Sequence, residues 1–183
     1  MSRLLKYGYQ LRRRISVHLI NINNNEVRMR ALIVVDMQED YIGENSKYLY
    51  EREKIITNIN MRIAEYYANK DSVIYIKNLK VRRQENYVSE FVPDLNVVCD
   101  VVIIKDKSSC FSNPILLNYL KENSINDIEV VGIDGNCCVK STASDAVKAG
   151  YFASIKENCV GVLNKQRFIQ SKDKMLKLGV SIL

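Results

Sequence analysis

From residue 31 onward the chain alternates short continuous apolar runs with segments of helical spacing. Ala31–Val35, Ser72–Ile76, Val101–Ile104, Ile128–Val131, Tyr151–Ile155 and Gly179–Leu183 are runs of four or five residues. Short runs of this kind are expected of strands buried on both faces. Between them, residues 53–69 place Ile55, Ile56, Ile59, Ile63, Tyr66 and Tyr67 at helical spacing. Residues 115–123 follow Asn113-Pro114, which suits a cap and a first helical position. Residues 139–149 stop at Gly150, and residues 165–177 make a fourth helix. Residues 78–99 are polar, basic and irregular, and are read as loop. Strands that alternate with helices pair in parallel through right-handed crossovers. The expected fold is therefore α/β: a doubly wound, mostly parallel six-stranded sheet with helices on both faces.

Residues 1–28 do not share this pattern. Arg3, Lys6, Arg12, Arg13, Arg14 and Arg28 face Glu26 alone, and an Ile/Asn-rich stretch follows without a sustained period. Three readings stand: a translation start placed upstream of Met29, a disordered basic arm, or a targeting segment. The domain is expected over 29–183. The chain's net charge of +6 falls mostly on this arm, so the domain itself is close to neutral, and no nucleic-acid partner is expected for it. No apolar run approaches the ~20 residues that span a bilayer, and no membrane partner is expected. Five cysteines, an odd count with no CxxC spacing, read as reduced cytoplasmic thiols and not as a disulfide framework. The lone histidine, His18, excludes a site built on several histidines.

In an open parallel sheet, ligands bind outside the carboxyl ends of the strands. Asp36 follows the first run, Lys105 follows the third, and a turn after the fourth delivers Cys138 to the start of a helix. An acid, an amine and a thiol thus stand at equivalent edges. A helix N-terminus and a neighbouring lysine lower a thiol's pKa, so Cys138 is expected to be an activated nucleophile. Lys107 competes with Lys105, and Asp40 competes with Asp36 but lies past its strand end. Cys99, Cys110 and Cys159 are expected to be core or incidental, and Cys137 to point elsewhere on the helix start.

Three separated stretches carry a resemblance. Met29–Tyr41 (MRALIVVDMQEDY), Lys105 with Phe111 six residues on, and Gly132–Tyr151 with its cysteine elbow resemble, in the same order, the isochorismatase-like cysteine hydrolases. That superfamily includes nicotinamidases, N-carbamoylsarcosine amidases and isochorismatases. The resemblance implies a catalytic triad of Asp36, Lys105 and Cys138. It also implies a cis peptide at Ile133–Asp134, with the backbone N–H groups of Asp134 and Cys138 forming an oxyanion hole, and a homo-oligomer. Tyr41 and Phe111 are expected to line the substrate pocket. The chain departs from metal-dependent relatives in residues 77–100, which hold no histidine, so no metal and no cofactor are expected. The elbow carries Asp134-Gly135 where relatives often have a small residue and a threonine; Asp134 is expected to point away from the hole. Lys77, Lys80, Arg82 and Arg83 are read as a solvated loop, with capture of a substrate carboxylate as the alternative. The expected activity is hydrolysis of a C–N bond in a small carboxamide or ureido substrate through an acyl-Cys138 thioester. The alternatives are hydrolysis of a small enol ether and a catalytically silent ligand-binding relative.

Overall fold

The computed structural model describes residues 29–82 and 85–183, with positions 81, 82, 85 and 86 described by their backbone alone. The readings made for residues 1–28, and His18 with them, lie outside the described residues. Six parallel strands form one sheet: β1 (Arg30–Val35), β2 (Ser72–Asn78), β5 (Val102–Lys105), β6 (Asp127–Ile133), β7 (Phe152–Gly161) and β8 (Ser181–Ile182). Their spatial order is β5-β2-β1-β6-β7-β8, so the winding direction reverses between β1 and β6. Helices α1 (Glu39–Ile42) and α2 (Arg52–Ala68) cover one face; α3 (Pro114–Glu122), α4 (Cys138–Lys148) and α5 (Lys165–Leu178) cover the other.

Alternation along the strands decides which side chain meets which layer. In β1, Ala31, Ile33 and Val35 pack toward Leu116, Leu120, Val139, Ala143 and Met175 of α3 to α5. Leu32 and Val34 pack toward Ile56, Ile59, Ile63 and Tyr66 of α2. All five are fully buried, as a strand covered on both faces requires. The helix boundaries follow their local signals. Asn113 caps α3, its side-chain oxygen accepting from the Ile115 N–H at 2.9 Å, with Pro114 at the first position. Asn164 caps α5 in the same way, accepting from the Arg167 N–H at 2.8 Å, and Gly179 ends that helix at φ 100°.

The polar stretch expected to be loop contains a small antiparallel hairpin, β3 (Lys80–Arg82) with β4 (Glu85–Tyr87), separate from the main sheet. Its three-residue strands carry no alternation for a sequence reading to detect. Strand β7 runs to Gly161, well past the expected Ile155, because its pairing with β6 is interrupted: Val130 pairs Ile155, but Gly132 pairs Val160. The charged residues Lys156 and Glu157 sit in that bulge and hide the continuation. Glu129, central in β6 and buried, faces α2 and takes a bidentate ion pair from Arg62, with Nε–Oε1 at 2.6 Å and Nη2–Oε2 at 2.5 Å.

Candidate active site

Four adjacent strands, β5-β2-β1-β6, each bring one polar group to the carboxyl edge beside the winding reversal: Lys105, Asn78, Asp36 and Cys138. Asp36 is the first residue beyond β1 and sits at φ 56°, in the left-handed region. An Asp tolerates this, at a cost of about 1–3 kcal/mol, and the turn carries the carboxylate into the edge instead of into solvent. Its backbone N–H is held by the Ile76 carbonyl at 3.0 Å. Lys105 is the last residue of β5 and points inward, only 2% exposed.

An ammonium has three protons, and each has a partner here. Lys105 Nζ lies 2.8 Å from Asp36 Oδ2, 3.1 Å from Asn78 Oδ1 and 3.4 Å from Cys138 Sγ. The other carboxylate oxygen, Asp36 Oδ1, is buried with no hydrogen-bond donor among the described residues. Burial pushes the Asp36 carboxyl above the usual carboxylate range, and the Lys105 charge offsets part of that. For Lys105, burial works against the charged form, but the Asp36 carboxylate, with Cys138 alongside, outweighs it and holds the ammonium up. Cys138 goes against expectation. Burial, followed by the Asp36 carboxylate, pushes its thiol well above the ordinary cysteine value, with Lys105 pulling the other way. The sequence reading weighed the helix N-terminus and the lysine and had no access to the desolvation. At rest Cys138 carries a thiol beside a carboxylate that has a free lone pair.

The elbow before Cys138 has the geometry expected of it. The Ile133–Asp134 peptide is cis. Gly135 packs so closely under Val160, Val162 and Phe168 that a Cβ would lie within 2.9 Å of all three. The Asp134 carboxylate turns away from the thiol: Oδ1 accepts from the Asn136 N–H at 2.7 Å, and Oδ2 from the Leu163 N–H at 3.0 Å and the Tyr50 hydroxyl at 3.3 Å. The N–H groups of Asp134 and Cys138 have no acceptor among the described residues.

The two expected pocket residues separate. Tyr41, half-buried, joins the cluster: its hydroxyl accepts from Asn78 Nδ2 at 2.6 Å, and its ring stacks on Tyr48 with centroids 6.2 Å apart. Phe111 does not join it. After Lys105 the chain runs along α4 from its start to its end. Ser108 Oγ lies 3.5 Å from Cys137 Sγ, and the Cys110 N–H reaches Thr142 Oγ1 at 3.1 Å. Phe111 then packs on Tyr151, beyond the C-terminal end of α4, with centroids 5.9 Å apart. The sixth residue after Lys105 is thus carried away from the thiol and serves the core. Lys107 is exposed, and Asp40 pairs with Lys80 at 2.8 Å. Cys110 is buried with its thiol pushed up to about 12, and burial pushes Cys159 to about 11, as inert core cysteines require. Cys137 is exposed. Lys77 pairs with Glu90 at 2.6 Å, while the side chains of Arg82 and Arg83 lie outside those described.

Asn78 and Gln38 were missed by the sequence reading. Asn78 lies two residues past the apolar run of its strand, and only the register beside Lys105 brings it into the site. Gln38 holds it there, its Oε1 accepting from the Asn78 N–H at 2.7 Å.

Fold and site together define a three-layer α/β protein with a buried acid and amine beside a half-buried thiol at the winding reversal of a parallel sheet. The Isochorismatase domain family model matches residues 30–182, and the chain belongs to that family of hydrolases. It is similar to YaaI of Bacillus subtilis (strain 168), an uncharacterized isochorismatase family protein, at 29% identity over 147 residues, which are 72% of this chain and 80% of YaaI. A protein of Arabidopsis thaliana named a probable inactive nicotinamidase is 25% identical over 149 residues, 68% of this chain and 76% of that one. Among solved structures, the pyrazinamidase of Pyrococcus horikoshii in complex with zinc superposes with a TM-score of 0.75 at 24% identity, covering 85% of this chain and 98% of that one. At that identity the likeness carries the fold.

The donor set here does not fit a zinc ion. Residues 29–183 contain no histidine, and no three His, Cys, Asp or Glu side chains among the described residues converge so as to hold an ion. Of the two aspartates between β2 and Lys105, Asp94 pairs with Arg52 at 2.8 Å and Asp100 is exposed.

Proposed function

We propose that the chain is a cysteine hydrolase that cleaves the C–N bond of a small carboxamide or ureido compound through an acyl-Cys138 thioester. The observation that carries this reading is the buried Lys105 ammonium, 2.8 Å from Asp36 and 3.4 Å from Cys138 Sγ, beside a carboxylate oxygen without a donor. Asp36 Oδ1 takes the thiol proton as Sγ attacks the carbonyl carbon. The N–H groups of Asp134 and Cys138 receive the oxygen as it gains charge, and each such donor is typically worth about 3 kcal/mol in the transition state. The C–N bond breaks, and Asp36 passes its proton to the leaving nitrogen. Water then enters, Asp36 takes one of its protons, and the hydroxide adds to the thioester. Collapse expels sulfur, which recovers the proton from Asp36. Lys105 keeps the carboxylate and the developing thiolate in one electrostatic frame throughout. A thiol that is protonated at rest suits this sequence, because proton transfer and attack are then coupled.

The test is a panel of small amides and ureides, with ammonia or amine release measured and the protein quenched for intact-mass analysis. Turnover with a substrate-derived mass on Cys138, both lost in Cys138→Ala, is the expected result. Turnover that survives Cys138→Ala overturns the mechanism. Neither turnover nor adduct across the panel assigns the chain to ligand binding without catalysis.

A further inference from the structure

The hydrogen bonds beside Lys105 have only one consistent set of directions. An ammonium can only donate, so the Asn78 atom 3.1 Å from Lys105 Nζ is the amide oxygen. The Asn78 NH₂ therefore faces the Tyr41 hydroxyl, 2.6 Å away, and the hydroxyl oxygen must accept. The orientation of the Asn78 side chain, usually ambiguous, is settled by its lysine neighbour. Its backbone is clamped as well, since Gln38 Oε1 accepts from the Asn78 N–H and Gln38 Nε2 is anchored on the Ser89 carbonyl at 2.9 Å. Once Tyr41 has accepted from Asn78, its own proton is left to give. No acceptor for that proton is found among the described residues. Tyr41 and Asn78 are both half-buried, so a ligand can reach them, whereas Lys105 and Asp36 beside them are only 2% and 3% exposed. The Tyr41 ring is held by Tyr48 on the elbow side and by the Lys80 ammonium, 4.2 Å from its centroid. That ammonium is already neutralised by Asp40.

We propose that Asn78 and Tyr41 form a recognition relay: Asn78 fixes Lys105 on one side and, on the other, commits the Tyr41 hydroxyl to donate to a second oxygen of the substrate, apart from the scissile carbonyl. This deepens the amide-hydrolase reading and rests on it for the position of the scissile group. The substrate class it selects is an amide or ureide bearing a second carbonyl or carboxylate oxygen. An apolar pocket discriminates weakly, whereas a committed donor left unpaired by the wrong ligand discriminates strongly. Tyr41 is thus a specificity-determining residue and Asn78 a positioning residue.

The experiment measures equilibrium binding to the Cys138→Ala protein by calorimetry, which needs no turnover. Three probes are used: succinamate, succinamide and pentanamide, which carry a distal carboxylate, a distal neutral carbonyl and no distal acceptor. Either or both of the first two should bind at least tenfold more tightly than pentanamide, and which of them does so separates an anionic from a neutral acceptor. Y41F should remove that preference while changing pentanamide affinity less than twofold. N78D should remove it too, because a carboxylate at that position cannot donate and takes the Tyr41 proton for itself. Adding Y41F to N78D should then cause no further loss. N78D keeps the side chain's size, and its thermal melt shows whether the protein is folded. Equal affinity for the three probes in the Cys138→Ala protein, absence of binding included, overturns the relay. So does a preference that survives Y41F. Failure of the hydrolase reading looks different: no acyl-Cys138 mass in the wild-type protein, whatever the probes' affinities.

Discussion

At the residue scale, the reactivity of Cys138 is set by two neighbours of opposite charge in a desolvated edge. Burial and Asp36 raise the thiol's pKa and Lys105 lowers it, so the two can be separated by substitution. The pH profile of Cys138 alkylation by iodoacetamide should have its inflection above that of an ordinary cysteine. Asp36→Asn removes a charge that disfavours the thiolate and should move the inflection down. Lys105→Met removes the charge that favours it and should move the inflection up. Fragment ions that break the chain between Cys137 and Cys138 distinguish the Cys138 adduct from one on exposed Cys137. Asp36 supplies a second sign. Its pKa is raised, and only the carboxylate form can accept a proton, so kcat/KM should fall as the pH drops through a value above the ordinary carboxylate range. An acid limb at or below that range counts against Asp36 as the base.

At the scale of elements, two contacts tie the site to the sheet. Gly132 pairs with Val35, the residue before Asp36, and a Cβ on it would stand 2.1 Å from the Val35 carbonyl oxygen. Its φ of 112° is also one that side-chain-bearing residues avoid. Gly132→Ala should therefore cost more than about 2 kcal/mol and displace Asp36. Chemical denaturation and the acid limb of kcat/KM check the two parts separately. On the opposite face, Arg62 of α2 and Glu129 of β6 form a buried ion pair, with side chains 10% and 2% exposed. Removing Glu129 leaves the buried Arg62 guanidinium with only the more exposed Glu65 carboxylate as an ion-pair partner among the described residues. Glu129→Gln should cost roughly 3–5 kcal/mol, a melting shift on the order of 10 °C for a domain of this size. The double substitution R62M/E129L should recover most of that loss. A double variant as unstable as the single one would show that the pair contributes net stability and is more than mutual compensation.

At the scale of the whole molecule, the family match begins at residue 30 and the sheet begins at Arg30. The basic arm of residues 1–28 precedes both, and the domain is proposed to be self-sufficient without it. A chain starting at Met29 should melt within about 2 °C of the full chain, an interval of no more than about 1 kcal/mol, and keep its Cys138 alkylation profile. A larger drop would assign the arm a packing role. No helix among the described residues is long and apolar enough to cross a membrane.

The sheet, its six strands and the edge carrying Asp36, Lys105 and Cys138 were legible because each depends on local pattern. Apolar runs mark the buried strands, and the residue that ends a run in a parallel sheet stands at the carboxyl edge. Helix boundaries at Asn113-Pro114 and Gly150 were legible for the same reason. What only the tertiary structure decided involves neighbours distant in sequence. The raised pKa of Cys138 reflects desolvation, which sums contacts from segments a local reading cannot align. Phe111 keeps the family spacing from Lys105, yet the turn after Ser108 follows α4 and carries the ring to Tyr151. Asn78 enters the site through strand register alone, and Glu129 is tolerated in a buried strand only because Arg62, 67 residues earlier, faces it. The sequence by itself determined that Asp36, Lys105 and Cys138 reach the sheet edge, since that follows from periodicity. The tertiary structure decided which protons those groups hold and which way each hydrogen bond runs, since burial and partner geometry set both.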